Sequence, residues 1–276
     1  MERQIVIRHG EEELAATIHY PVVPELQEGE RPSRVPLIII CHGFVGSRIG
    51  VDRLFVKTGR ELAEDGYLVL RFDYIGCGES SGEYGAEGLE SMINQTRTVL
   101  DYAIQCCDVD PKRITLLGHS LGGATALLTA VRDKRVNRLI MWSAVGYPFN
   151  DIVKITGRST YDQSVKEGSA DHLGYNFSPV FFNSLAQFQP FQEAVKFSGD
   201  VLIAHGTSDD TIPVDYAFLY QKIFWMRSTG RCDKDIIFQG NHTYSSGPER
   251  EQLIKRTRAW LAEQNRIDED WQHWMI

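Results

Sequence analysis

The sequence predicts an α/β protein built on one mostly parallel sheet, and three observations predict it. Short aliphatic runs alternate with longer stretches of helical period. The runs are dense in Val, Ile and Leu, as strands buried on both faces are. Glycine-, histidine- and aspartate-bearing motifs follow those runs directly, at the strand ends where open α/β sheets place their ligands.

Taken in order, residues 3–8 and 13–20 read as an antiparallel pair. PLIIICH (36–42), YLVLRFD (67–73), RITLLGH (113–119), RLIMWSA (138–144), VLIAHG (201–206) and DIIFQG (235–240) then make an eight-stranded sheet. Amphipathic stretches lie between them. Residues 87–105 carry Leu89, Met92, Ile93, Tyr102 and Ile104 at helical spacing, and 121–132 carry Leu121, Ala124, Leu127 and Leu128. Residues 214–227 and 248–263 read in the same way. These helices flank the sheet.

One connection is too long for a crossover helix. About 55 residues separate RLIMWSA from VLIAHG, and residues 146–198 hold ten of the 29 aromatics of the chain. We read an inserted cap after strand 6, lying over the carboxyl ends of the strands. About a third of its rings are expected to face a ligand while the rest form the insert's own core. The whole of 1–276 is then one domain carrying 146–198 as a lid.

Composition excludes several classes. With 276 residues, 42% hydrophobic and 24% charged, the chain is an ordinary globular one. Its net charge of −8 and the lack of a Lys/Arg run argue against nucleic acid or an anionic membrane as partner. Five cysteines without framework spacing, two of them the neighbours Cys106 and Cys107, read as free thiols of a reducing compartment. MERQIVIRHGEEEL has no apolar core of a secretory signal, and VPLIII is far short of the roughly 20 residues that span a bilayer. The expectation is a cytoplasmic protein. The apolar C-terminal DWQHWMI, with Trp271, Trp274, Met275 and Ile276, either packs on the body or makes the contact of a homodimer.

The pattern G-x-S-x-G occurs twice, around Ser80 and around Ser120. Its chemistry needs a serine on a sharp strand-to-helix turn, with glycines at −2 and +2 to avoid a clash across the turn. RITLLGH runs straight into Ser120 and a helix follows at once. Ser80 stands several residues past its strand, between glycines, so Ser120 is the candidate nucleophile and Ser80 a loop serine. A serine hydroxyl needs a base, and the base needs an orienting group. Of the eight histidines, His42, His119 and His205 belong to strand-end motifs, His9 and His19 to the first strands, His172 to the insert and His273 to the tail. His242, in the loop after the last strand, is the candidate base. Asp209 and Asp210, in the loop after VLIAHG, are the candidate acids, and the one not so used is expected to cap the helix beginning near Pro213. An oxyanion needs two main-chain N–H donors. In this architecture they are those of Leu121, after the nucleophile, and Phe44, in CHGFVGS.

Across nearly its whole length the chain resembles the α/β-hydrolase family. HGF at 42–44, DYIGCGES at 73–80, GHSLGG at 118–123, HGTSDDTIP at 205–213 and GNH at 240–242 match it in order. The resemblance aligns the acid with Asp209. The HGF loop, the aromatic insert and the length are similar to the cinnamoyl/feruloyl esterase-like carboxylesterases. This implies a cofactor-independent serine esterase acting on a small-molecule ester, with catalytic Ser120, Asp209 and His242. Acyltransferase and thioesterase chemistry use the same residues, and a silent binding protein would have lost one of them. A serine at 120 sets aside relatives with Asp or Cys there. No metal motif is present, and Gly76-Cys77-Gly78 lacks the third glycine of a dinucleotide fingerprint.

Overall fold

The computed structural model describes residues 1–22 and 34–274, the side chains of 271–274 excepted. The side chains of Trp271 and Trp274, and all of Met275 and Ile276, therefore lie outside what is described, and with them the contact expected of this apolar group.

Each aliphatic run forms a strand. The strands are β1 (Glu2–His9), β2 (Glu12–His19), β3 (Val35–Cys41), β4 (Leu68–Phe72), β5 (Val109–His119), β6 (Arg138–Trp142), β9 (Asp200–Gly206) and β10 (Cys232–Ile237). They build one eight-stranded sheet in the order β1-β2-β4-β3-β5-β6-β9-β10. Strands β1 and β2 pair antiparallel, as do β2 and β4, and every other pair is parallel.

Period-two alternation divides the core between the two faces. Ile38 and Ile40 of β3 join an apolar cluster with Leu54, Phe55, Leu253 and Leu261, which lie on α1 (Leu54–Glu64) and α9 (Gly247–Trp274). Leu37, Ile39 and Cys41 point the other way, into the larger cluster under α2 (Leu89–Cys106), α3 (Leu121–Arg132) and α8 (Asp215–Phe224). The helical stretches 121–132 and 87–105 therefore form where their periodicity places them. The last helix runs well past 263, because its second half continues polar, helix-favouring sequence beyond the apolar stripe.

The long connection between β6 and β9 folds into α4 (Pro148–Thr156), α5 (Arg158–Glu167), a short hairpin of β7 (Ala170–His172) and β8 (Tyr175–Phe177), α6 (Pro179–Ala186) and α7 (Pro190–Ala194). Pro148, Pro179 and Pro190 each open a helix, where the missing N–H has no partner to lose. The insert packs on α2, α3 and α8, and Ser178 N–H donates to Gly85 O at 3.0 Å. All five cysteines, Cys106 and Cys107 included, are unpaired. Among the described residues no helix is long and apolar enough to cross a membrane.

Candidate active site

Because β3, β5, β9 and β10 are parallel, their carboxyl ends deliver four separate motifs to one edge of the sheet. Ser120 occupies the single residue between β5 and α3 and is held at φ 57°, ψ −123°. A non-glycine residue costs on the order of 1–3 kcal/mol in such a conformation and needs surroundings that over-determine it. Here Ser120 N–H donates to Trp142 O at 2.9 Å, and Ser120 O accepts from Gly123 N–H at 2.9 Å and Val145 N–H at 3.1 Å. The flanking glycines are needed for close approach. A Cβ on Gly118 would lie 2.1 Å from Gly122 O, and one on Gly122 would lie 2.2 Å from Cys41 O.

Ser120 Oγ lies 3.0 Å from His242 Nε2, and His242 Nδ1 lies 2.8 Å from Asp209 Oδ2. The carboxylate can only accept, so Nδ1 carries the proton and Nε2 is free to take the serine hydrogen. The structure thus brings together Ser120, His242 and Asp209 from three loops. Asp209 Oδ1 accepts the N–H groups of Thr211 and Ile212, while Oδ2 accepts His242; His205 Nε2–H donates to Ile212 O at 3.0 Å and lies 3.1 Å from the same Oδ2. Burial alone would raise this carboxyl. The hydrogen bonds from His205, His242 and Ile212 outweigh that effect and hold it below the usual carboxylate range.

Asp210 is exposed and accepts from Thr211 Oγ1 at 3.2 Å. It does not cap the next helix, as the sequence suggested: α8 starts only at Asp215, behind Val214, with no side-chain cap. The chain runs on past Pro213 before it turns helical, which carries Asp210 out of reach of the first free N–H groups. Ser80 is a strut. Its Oγ–H donates to Asp73 O at 2.7 Å and its Oγ accepts Ala15 N–H at 2.9 Å, joining the 73–82 loop to β2.

Leu121 is the first residue of α3 and Phe44 follows His42-Gly43 after β3; no hydrogen bond to either N–H is found among the described residues. The loop bearing Phe44 is anchored by His42, which is buried and driven toward its neutral form. Its Nδ1–H donates to Gly43 O at 2.8 Å, and Nε2 accepts Tyr74 N–H at 3.1 Å.

Ser120 and His242 open into a cavity of about 480 Å³. Its walls come mainly from the β3–α1 connection, through Phe44, Val45, Val51, Leu54 and Phe55, and among the described residues no Asp, Glu, Lys or Arg lines it. Here the sequence reading needs correction. Of the ten insert aromatics, only Tyr175 lines this cavity. Phe177, Phe181, Phe182, Phe188, Phe191 and Phe197 are buried instead, because rings gain more by packing edge-to-face on one another than by lining a wet cleft. The signal that would have found the true wall is the apolar run in GFVGSRIGVDRLF, directly after the HGF motif. The role of His119 was also missed, since its partner lies on another loop, and that of His205 was missed although Asp209 follows it by only four residues.

A family model described as the alpha/beta hydrolase fold matches residues 36–164. Est1E of Butyrivibrio proteoclasticus, solved with ferulic acid bound, superposes with a TM-score of 0.77 at 23% identity, covering 94% of this chain and 98% of Est1E. The uncharacterized protein YfhR of Salmonella typhimurium is 42% identical over 162 residues, 55% of this chain and 48% of YfhR. A 31.7 kDa protein from the traX-finO intergenic region of Escherichia coli is 34% identical over 122 residues, 44% of this chain and 41% of that protein. The chain thus spans under half the length of these curated relatives. The sheet order, the turn at Ser120 and these matches define an α/β-hydrolase-fold protein. Within that class the chain resembles Est1E in fold from end to end.

Proposed function

We propose that the chain is a cofactor-independent serine esterase that cleaves small, uncharged carboxylic esters through an acyl-enzyme on Ser120. The observation that carries this reading is the continuous hydrogen-bonded path from Ser120 Oγ through His242 to Asp209. His242 Nε2 takes the hydroxyl proton as Oγ attacks the ester carbonyl, and then gives it to the departing alkoxide. Asp209, held ionised, keeps the proton of His242 on Nδ1 and balances the imidazolium that forms. The tetrahedral oxyanion is bound by the Phe44 and Leu121 N–H groups, each of which contributes roughly 3 kcal/mol to the transition state. Leu121 adds the positive end of α3. Water, activated by the same imidazole, then releases the acid and restores Ser120.

A cavity wall without Asp, Glu, Lys or Arg among the described residues favours an ester without carboxylate or ammonium near the reacting carbon. The ferulic acid held by Est1E is an aromatic acid of the kind that hydrolysis of such an ester would release. On this reading 1–276 is one catalytic unit, with residues 146–198 as its cap. Hydrolysis of p-nitrophenyl butyrate tests the assignment: it is expected to vanish in Ser120→Ala and to persist in Ser80→Ala. Activity surviving in Ser120→Ala refutes it. A fluorophosphonate probe should label the parent at Ser120. Ester formation with added alcohol in preference to hydrolysis would move the reading to acyl transfer.

A further inference from the structure

Phe177 and Phe181 of the insert turn away from the cavity and pack on the ring of Phe44. Its centroid lies 5.2 Å from Phe177, 6.0 Å from Phe181, 6.0 Å from Tyr84 and 6.1 Å from His172. Phe177 and Phe181 are 0% and 1% exposed, and their own rings lie 4.8 Å apart. Phe44 therefore plugs a socket made by the hairpin strand β8, helix α6 and the loop bearing Tyr84.

The main chain at this point lies against the nucleophile. A Cβ built on Gly43 would be 3.0 Å from Ser120 Cβ and 3.2 Å from His119 O. On one side the loop is fixed by the His42 imidazole bond to Gly43 O. On the other, Val45 takes a left-handed φ of 45°, which an unsupported β-branched residue avoids. The peptide between Gly43 and Phe44 is thus held by a hydrogen bond behind and by an aromatic plug ahead. Neither Phe177 nor Phe181 lines the cavity.

We propose that Phe177 and Phe181 are positioning residues: by clamping the Phe44 ring they hold the Phe44 N–H where the oxyanion forms. These two rings then contribute to the transition state without touching the substrate. This inference rests on the serine esterase reading and goes beyond it. An oxyanion donor acts only when it lies about 2.7–3.1 Å from the developing charge, and losing one costs roughly 10²–10³ in kcat. A donor loosened but not removed forfeits part of that, about tenfold. Binding of the ground-state ester does not use this hydrogen bond fully, so KM is spared.

The test compares two neighbouring rings of α6. Phe181 touches Phe44. Phe182, equally buried, packs on Tyr161 at 5.4 Å and Phe177 at 6.0 Å and makes no ring pair with Phe44. In Phe181→Leu, kcat for p-nitrophenyl butyrate is expected to fall about tenfold with KM within about twofold, and affinity for a trifluoromethyl ketone should fall in parallel. Phe182→Leu is expected to keep kcat within about twofold. Should Phe181→Leu fail to fold, judged by circular dichroism, Phe181→Met and Phe177→Leu provide the same comparison. Equal losses in the Phe181 and Phe182 variants, or an unchanged kcat in the Phe181 variant, overturn the proposal. If Ser120→Ala is inactive and the parent labels with a fluorophosphonate, either result refutes the clamp alone. A parent that neither labels nor hydrolyses overturns the esterase reading and the clamp together.

Discussion

The main-chain oxygen of His242 accepts the Nε2–H of His119 at 2.7 Å. One pentapeptide, Gly118-His119-Ser120-Leu121-Gly122, therefore presents the serine and also pins the loop that carries the imidazole facing it. Burial, followed by the neighbouring His242, pushes His119 down to about 3, so it stays a neutral Nε2–H donor at physiological pH. The two rings lie 4.9 Å apart.

Removing that donor should loosen the base. His119→Phe is expected to lower kcat by about tenfold or more, a fraction of what a positioned general base supplies, with KM nearly unchanged. His119→Gln, whose Nε2 can still donate, should recover much of the loss. Steady-state kinetics of the three proteins decide it, and a fully active His119→Phe would remove the role.

The neighbouring aspartates should separate cleanly. Both oxygens of Asp209 accept hydrogen bonds, and an amide in its place must turn an N–H toward His242 or toward the Thr211 and Ile212 amides. Asp209→Asn is expected to lose kcat on the order of 10⁴, because the imidazole is left in the wrong tautomer. Asp210→Asn, exposed and bonded to Thr211 alone, should stay within about twofold. Comparable losses in both would show that the geometry at Asp209 is not what matters.

Acid should weaken the fold through His19. This residue is 1% exposed and its Nε2 accepts Arg71 Nε–H at 2.7 Å, which requires that nitrogen to be unprotonated. Burial, then the Arg71 charge, lower it to about 4, against a partial opposing pull from Glu2; the more distant Arg60 acts with Arg71. The unfolded chain binds a proton below about pH 6.5 that the folded chain refuses until about pH 4. Stability from this site is thus complete above pH 6.5 and falls as the pH is lowered toward 4. His19→Gln should flatten the fall in urea midpoint between pH 7 and pH 4.5; a variant as acid-sensitive as the parent contradicts the assignment.

Gly122→Ala tests the packing beneath the serine turn. The added methyl would meet Cys41 O at 2.2 Å, main chain that cannot rotate away, so α3 must move off β3. A cost of about 2 kcal/mol or more is expected, seen as a Tm lower by at least about 5 °C in thermal unfolding. A Tm within 1–2 °C of the parent would mean that the turn relaxes freely.

Much of this was written locally. The strands follow from aliphatic runs, α3 from the period of 121–132, and Ser120 was separated from Ser80 because only one of them stands between a strand and a helix. A parallel sheet then brings its strand ends together wherever the loops go, so motifs far apart in the chain could be assigned to one edge before their geometry was known.

Burial and partner choice were not local. The insert's aromatic richness was legible, but its direction was not, since a ring facing a ligand and a ring facing Phe44 have the same sequence signature. His119 and His205 looked like parts of other motifs. The hydrogen bond of His119 to His242 exists only once β5 and β10 lie in one sheet, whereas His205 meets Asp209 locally, four residues further on. The sequence by itself determined the layer architecture and which residue types stand at each strand end, because periodicity and turn chemistry act within a few residues. The tertiary structure alone decided which side chains meet there, because packing between distant segments chooses each buried partner.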